Sequence, residues 1–138
     1  MKNLNLIDRA FLLKKSSLFN TLDLDLLLTI ADRMELRFYR EGEMVFQKGQ
    51  ESDKMYLIIQ GSIEIHNQVS SHLLLPGEFF GDEAIFNEKP RAYSANVKER
   101  VTLLALTRNQ LLNIIGECPS VAVTLLQAYT ENMGFRKR

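Results

Sequence analysis

Pro76-Gly77-Glu78-Phe79-Phe80-Gly81-Asp82-Glu83-Ala84-Ile85-Phe86-Asn87-Glu88-Lys89-Pro90-Arg91-Ala92-Tyr93-Ser94 is the stretch on which the reading of this chain turns. Two glycines bracket a pair of aromatics, a short amphipathic run follows, and Pro90-Arg91 leads into residues that favour a strand. Gly81 permits a tight backbone turn, and residues 82–86 can wind into about one helical turn. The first N–H groups of such a turn lack intrahelical partners and point one way, with the positive end of the peptide dipoles behind them. That arrangement seats an anion. Arg91, nine residues beyond Asp82, carries a planar fork suited to phosphate oxygens. Asp82 and Glu83 at the lip are unexpected beside a bare anion. They fit a ligand that also offers hydroxyls, which carboxylates accept.

On both sides of this stretch the rhythm is that of short strands. Apolar or aromatic runs at 37–40, 44–47, 55–59, 62–66, 73–75, 93–97 and 101–106 are punctuated by Gly42, Gly49, Gly61, Gly77 and Gly81. Strands of this length with regular turn signals predict a small antiparallel barrel, β-roll or jelly roll. None alternates with a long helix, which argues against a doubly wound parallel sheet. Asn67-Gln68-Val69-Ser70 reads as a hairpin turn.

Helical spacing flanks the roll. Leu4, Ile7 and Phe11, widened by Leu12 and Leu13, form a stripe over residues 3–14, interrupted at Ser16-Ser17. Asn20 and Thr21 are cap-type residues, and Asp23 and Asp25 suit the first turn of a second helix. That helix would carry Leu24, Leu27, Leu28, Ala31 and Met34 on one face. After the roll, Thr107-Arg108-Asn109-Gln110 fits a capping box that opens a helix stopping at Gly116. Pro119 suits the start of a last helix striped by Val121, Leu125, Tyr129 and Met133. The expected organisation is one domain over residues 1–138: N-terminal helices to 36, a β-roll over 37–107, and two C-terminal helices over 108–138. The fold class is mainly β with flanking helices (α+β).

Composition narrows the function classes. Seventeen basic and seventeen acidic side chains cancel, so the basic footprint of a nucleic-acid binder is missing. No run reaches membrane-spanning length, and charges interrupt the N-terminus where a secretory signal needs an apolar core. Cys118 is the single cysteine, which suits a reducing compartment. A cytoplasmic protein without nucleic-acid or membrane partners is the expectation. His66 and His72 flank the hairpin and lack the clustered ligands of a metal site. No Gly-Lys-Ser/Thr loop is present, and two histidines give no recognisable Ser–His–Asp set. Catalysis is not expected; a small metal-dependent barrel enzyme is the remote rival.

The pattern F-G-(D/E)-x-A-x(5)-P-R-A-x-(S/T), read from Phe80 to Ser94, resembles the phosphate-binding cassette of cyclic-nucleotide-binding domains. These occur in cyclic-AMP-dependent kinase regulatory subunits, gated channels and the bacterial catabolite activator. Glu41-Gly42-Glu43, Lys48-Gly49 and Asp53 to Ser62 resemble the family's turn glycines and the strand between them, and Phe11 to Phe19 its entry helices. The likeness runs along nearly the whole chain, with a cassette at 77–95. It implies ligand binding by Phe80, Gly81, Asp82, Glu83, Ala84, Arg91, Ala92 and Ser94, with Arg91 and the Ala92 N–H on the ring phosphate. Without ligand, Arg91 is expected to lean on Asp82, Glu83 or Glu88.

Two positions depart from the pattern. Asp82 stands where the family usually has glutamate for the ribose hydroxyl, so the sugar sits closer, a water bridges, or Glu83 takes over. Alternatively Asp82 merely caps the short helix. Glu83 stands where an apolar residue is common. Ala92 lacks the threonine hydroxyl that commonly serves guanine, which leans the site towards cyclic AMP (cAMP) over cyclic GMP (cGMP). Tyr129 and Phe135 are candidates to cover the base. The leading expectation is a stand-alone cyclic-nucleotide sensor with no cofactor, signalling through C-terminal helix movement to an unidentified protein partner, a homodimer being one assembly to consider. Its rival is a scaffold that has lost the ligand and serves as a protein interaction module.

Overall fold

The computed structural model describes residues 4–132. Among them are six strands in one antiparallel sheet and five helices, the β-roll with flanking helices that the turn spacing predicts. Two compact units divide the chain: a roll, Met34–Asn109, and a helical unit formed by the segments on either side.

The roll is built on two long strands. These are β3 (Lys54–His66) and β6 (Ser94–Thr107), paired along nearly their whole length. β1 (Glu35–Tyr39) and β2 (Met44–Phe46) pair with β6; β4 (Ser71–Leu74) and β5 (Phe79–Phe80) pair with β3. The sequence reading expected four separate strands where β3 and β6 stand. The polar breaks that suggested turns, Gln60-Gly61 and Lys98-Glu99-Arg100, lie opposite one another in the ladder, where the register shifts instead of ending. Gly61 makes this possible. Its φ is +89°, and a Cβ there would come within 2.1 Å of the Arg100 carbonyl oxygen, so only glycine lets the two backbones approach. The hairpin between β3 and β4 forms as expected, with Asn67 Oδ1 accepting from the Val69 and Ser70 amides. Phe46, Tyr56, Phe80, Ile58, Ile63 and Leu103 are among the residues that fill the roll's core.

In the helical unit, α1 (Leu6–Lys15) begins in a capping box of Asn5 and Asp8 and ends at Ser16. Its buried residues are Ala10 and Leu13; of the apolar stripe, Leu13 is covered, whereas Ile7 and Phe11 are more than half exposed. For α2 (Leu24–Arg33), Asp23 rather than Asn20 or Thr21 accepts from the helix, at the Leu26 amide. Leu27, Ile30 and Ala31 are buried there, while Leu24 is exposed. α4 (Arg108–Glu117) runs one residue past Gly116, where a stop was expected. α5 (Ser120–Asn132) buries Val121, Leu125 and Ala128; Leu126 is exposed and Tyr129 half-buried. Met133 and Phe135 lie outside the described residues. No single described helix is long and apolar enough to cross a membrane.

Candidate functional site

Local sequence builds the predicted turn. β5 ends at Phe80, Gly81 adopts φ +78°, and Glu83–Phe86 form the one-turn helix α3. Asp82 occupies the N-cap position with helical backbone angles, and its side chain makes no capping bond. The alternative that Asp82 merely caps the helix is therefore corrected: a helical ψ aims the carboxylate away from the N2 and N3 amides.

Arg91 is the centre of the site. Its backbone is clamped on both sides, with the amide donating to Gln50 O and the carbonyl accepting from the Gly49 amide, each at 2.8 Å. So held, the side chain enters the roll, and none of it is exposed. Nη1 donates to Gly81 O at 2.9 Å, and Nη2 donates to Lys54 O at 2.7 Å and Ser52 Oγ at 2.8 Å. The guanidinium carbon lies 3.9 Å from the Phe46 ring centre, a cation–π contact strengthened by exclusion of water. Phe46 in turn packs on Tyr56, Phe80 and Tyr93, with ring centres 5.6–6.2 Å away. Burial pushes the guanidinium's pKa down, yet arginine keeps its proton. Gly81 is constrained twice, by its positive φ and because a Cβ would sit 2.8 Å from Arg91 Nη1.

Of the three acids expected to meet Arg91, Glu83 does so, with Oε1 at 3.9 Å from Nη1. That is a Coulombic contact too long for a hydrogen bond. Glu88 turns away and pairs with Arg108 at 2.7 Å, from a left-handed backbone at φ 56°. Arg108 also donates through Nε to Ile85 O at 2.9 Å, tying the end of α3 to the first residue of α4.

Tyr93 completes the arrangement. Its hydroxyl accepts from the Gly81 amide at 2.8 Å and donates to Glu83 Oε2 at 3.2 Å. The Gly81 N–H that the sequence assigned to an anion is thus already engaged. Burial, then the neighbouring Glu83 carboxylate, pushes the Tyr93 phenol's pKa well up. Burial is also the main cause that raises the Glu83 carboxyl, with Asp82 adding to it; its own amide, Tyr93 and Arg91 act the other way. Among the described residues, two side-chain atoms are left buried without a hydrogen-bond partner, Glu83 Oε1 and Arg91 Nε.

The remaining predicted residues spread around this centre. Phe80 and Ala84 are buried, Ala92 is exposed, and Ser94 is buried with its Oγ accepting from the Lys48 amide. A cleft of about 60 Å³ lies beside Tyr93, lined by Ile65, His66, Asn67, Ser70 and His72. It is far smaller than the roughly 300–1,000 Å³ of ligand pockets, and the Tyr93 side chain forms one wall. His66 bonds Asn96 Oδ1 at 2.6 Å, and no group of three or more His, Cys, Asp or Glu among the described residues could hold a metal. Phe46, Ser52, Tyr93 and Arg108 were missed as site residues. Tyr93 lies within the cassette and reads as an ordinary strand residue; the other three lie far along the chain from it, and nothing local marks them.

Residues 36–118 match the profile of the cyclic nucleotide-binding domain. The chain is 33% identical over 122 residues to the cyclic AMP receptor protein of Thermus thermophilus, covering 82% of this chain and 55% of that one. It is 30% identical over 116 residues to cGMP-dependent protein kinase, isozyme 1, of Drosophila melanogaster, covering 76% of this chain and 15% of the kinase. The chain thus spans little more than half of one relative and a small part of the other. The N-terminal domain of a transcriptional regulator from Streptomyces coelicolor A3(2) superposes with a TM-score of 0.78 at 25% identity, covering 88% of this chain and 90% of that structure. With residues 36–118 matching that profile and a relative 33% identical over 82% of its length, the chain belongs to the cyclic nucleotide-binding domain family.

Proposed function

We propose that the chain is a regulatory module that binds a cyclic nucleotide through Arg91, cyclic AMP in preference to cyclic GMP. One observation carries the reading. A guanidinium with no exposed surface stands behind the Gly81 turn, keeping an unpaired Nε and an anion, Glu83, as its ion-pair partner. A buried cation held against a single distant carboxylate suits exchange for a stronger, bidentate acceptor. Asp82 would take the ribose hydroxyl, directly or through a bridging water, and Gly81, Ala84 and the Ala92 amide would line the phosphate. Ala92 offers guanine no hydroxyl, and the names of two relatives include each nucleotide.

The module regulates rather than catalyses. Arg108 supports a route for the signal, because it opens α4 while holding the Ile85 carbonyl of α3. A shift of α3 on binding would move that anchor and, with it, the surface the C-terminal helices present to a protein partner or a second copy. Coupling of this kind is typically about 1–3 kcal/mol. The balanced charge of the chain supports a protein partner over nucleic acid. The lone Cys118 suits the reducing cytoplasm.

Isothermal titration with each nucleotide tests the reading. Cyclic AMP should bind more tightly than cyclic GMP, and Arg91→Lys should lose affinity, since a lysine cannot reproduce the planar fork. Unchanged affinity in that variant would remove the phosphate assignment. A second reading, a protein interaction module without ligand, is favoured by the internal engagement of the Gly81 amide and of both Arg91 Nη atoms. Thermal melts separate the two, because a ligand at a hundred times its Kd stabilises by about 2.7 kcal/mol. No shift with either nucleotide favours the second.

A further inference from the structure

We propose that Glu83 and Tyr93 form an internal latch: the Glu83 carboxylate stands beside Arg91 where a ligand anion would be drawn, and Tyr93 bolts it to the Gly81 amide. A phosphodiester then binds only by displacing both. The inference rests on the assignment of Arg91 to a phosphate.

Five atoms make the latch. Glu83 Oε1 lies 3.9 Å from Arg91 Nη1, Glu83 Oε2 accepts from the Tyr93 hydroxyl, and that hydroxyl accepts from the Gly81 amide. The carboxylate and the phenol therefore use the cation and the backbone donor that the turn would otherwise offer to an anion. The fit is imperfect. Glu83 Oε1 accepts no hydrogen bond, and Arg91 Nε donates none. Leaving buried polar atoms unpaired is unfavourable, so the closed arrangement is held less firmly than its charge suggests. A carboxylate that merely stabilised the roll would be expected at hydrogen-bonding distance from the guanidinium.

Two anions cannot both occupy the space beside one buried cation without strong mutual repulsion. Ionised Glu83 therefore competes with the ligand, and protonated Glu83 does not. Arg91 and Tyr93 face Glu83 from the segment before β6, and Asp82 adjoins it on its own turn. Tyr56 of β3 and Asp53 interact with Arg91, and Glu88 and Arg108 pair at the far end of α3. Burial and Asp82 raise the Glu83 pKa above the ordinary carboxylate value. A phosphodiester stays ionised across the same range, so its affinity should rise as the pH falls.

The test is calorimetric titration of the 138-residue protein with cyclic AMP, using wild type, Glu83→Gln and Tyr93→Phe, at a lower pH near the ordinary carboxylate value of 4.5 and a higher pH of about 8. Glu83→Gln should bind roughly tenfold or more tightly than wild type at the higher pH, the size of a one-unit change in a neighbouring ionisation. Wild type should tighten at the lower pH, and Glu83→Gln should not. Tyr93→Phe, which frees the Gly81 amide without removing a ring, should gain affinity and covers the case of a poorly folding Glu83→Gln. Equal or weaker binding by both variants, with wild type binding, would overturn the latch and leave the phosphate assignment standing. No binding by any of the three would overturn both, because the latch requires that releasing it create a competent site.

Discussion

Replacing Arg91 with alanine should destabilise the roll by about 3–5 kcal/mol, the cost of deleting one partner from a buried charged network. The structure supplies the components. Three acceptors, Gly81 O, Lys54 O and Ser52 Oγ, lose charged donors at 2.7–2.9 Å, at about 1.5–3 kcal/mol each. The contact over Phe46 at 3.9 Å adds up to about 2 kcal/mol. Against these stands relief from desolvating the guanidinium, several kcal/mol in the opposite direction. Urea unfolding followed by circular dichroism is the assay. With a slope of about 1–3 kcal/mol per molar urea, the midpoint should fall by more than about 1 M. Arg91→Lys should fall in between, keeping the charge and losing the planar stack on Phe46. A loss below about 1 kcal/mol in the alanine variant would refute the reasoning, because Arg91 would then not organise the turn, whatever its role with ligand.

Gly61→Ala should cost at least about 2 kcal/mol in thermal or urea unfolding, since φ is +89° and the added Cβ meets Arg100 O at 2.1 Å. Gly42→Ala, with φ +88° and open space around it, isolates the backbone component at about 1–2 kcal/mol, and equal losses at both sites would contradict the close approach of β3 and β6. In a phenol absorbance titration, the difference between wild type and Tyr93→Phe should rise only above the ordinary tyrosine range, because burial and Glu83 raise that pKa; a step near 10 would refute it. Glu83 has a raised folded pKa, so the folded state binds its proton more tightly than the unfolded state. Its contribution to stability is therefore greatest at acid pH and declines from the ordinary value of 4.5 up to the raised one. The stability of Glu83→Gln relative to wild type should accordingly increase as pH rises through that window and level off above it, and a pH-independent difference would show the carboxyl to be unshifted.

The order of the chain was written in local signals. Turn glycines at 42, 49, 61, 77 and 81 all adopt positive φ, and the one-turn helix after Gly81 forms where short-range geometry requires it. Periodicity located the helices as well, but it did not show which residues of a stripe are covered. Within the first stripe Ile7 and Phe11 remain exposed, while Leu13 is buried together with Ala10. A stripe reports that a helix is amphipathic, and the neighbour it meets decides which residues are covered. Likewise Gly61 looked like the end of a strand, because no local rule shows that Lys98-Glu99-Arg100 will lie opposite and carry the ladder past it.

At the site, residue types were legible and their pairings were not. Phe80 to Ser94 contains the turn, the cation and the acids, since a turn and its anion-binding groups are encoded within a few residues. That Arg91 runs inward onto Phe46, Ser52 and Lys54 depends on groups about 40 residues away, brought near only when β2 and β3 close the roll. That Glu83 and not Glu88 faces the guanidinium, and that Tyr93 holds the Gly81 amide, follow from the same closure. Sequence alone determined which short-range conformations this chain could adopt, and tertiary structure decided which partner each buried charge would meet, because those energies depend on distance and water exclusion that exist only after folding.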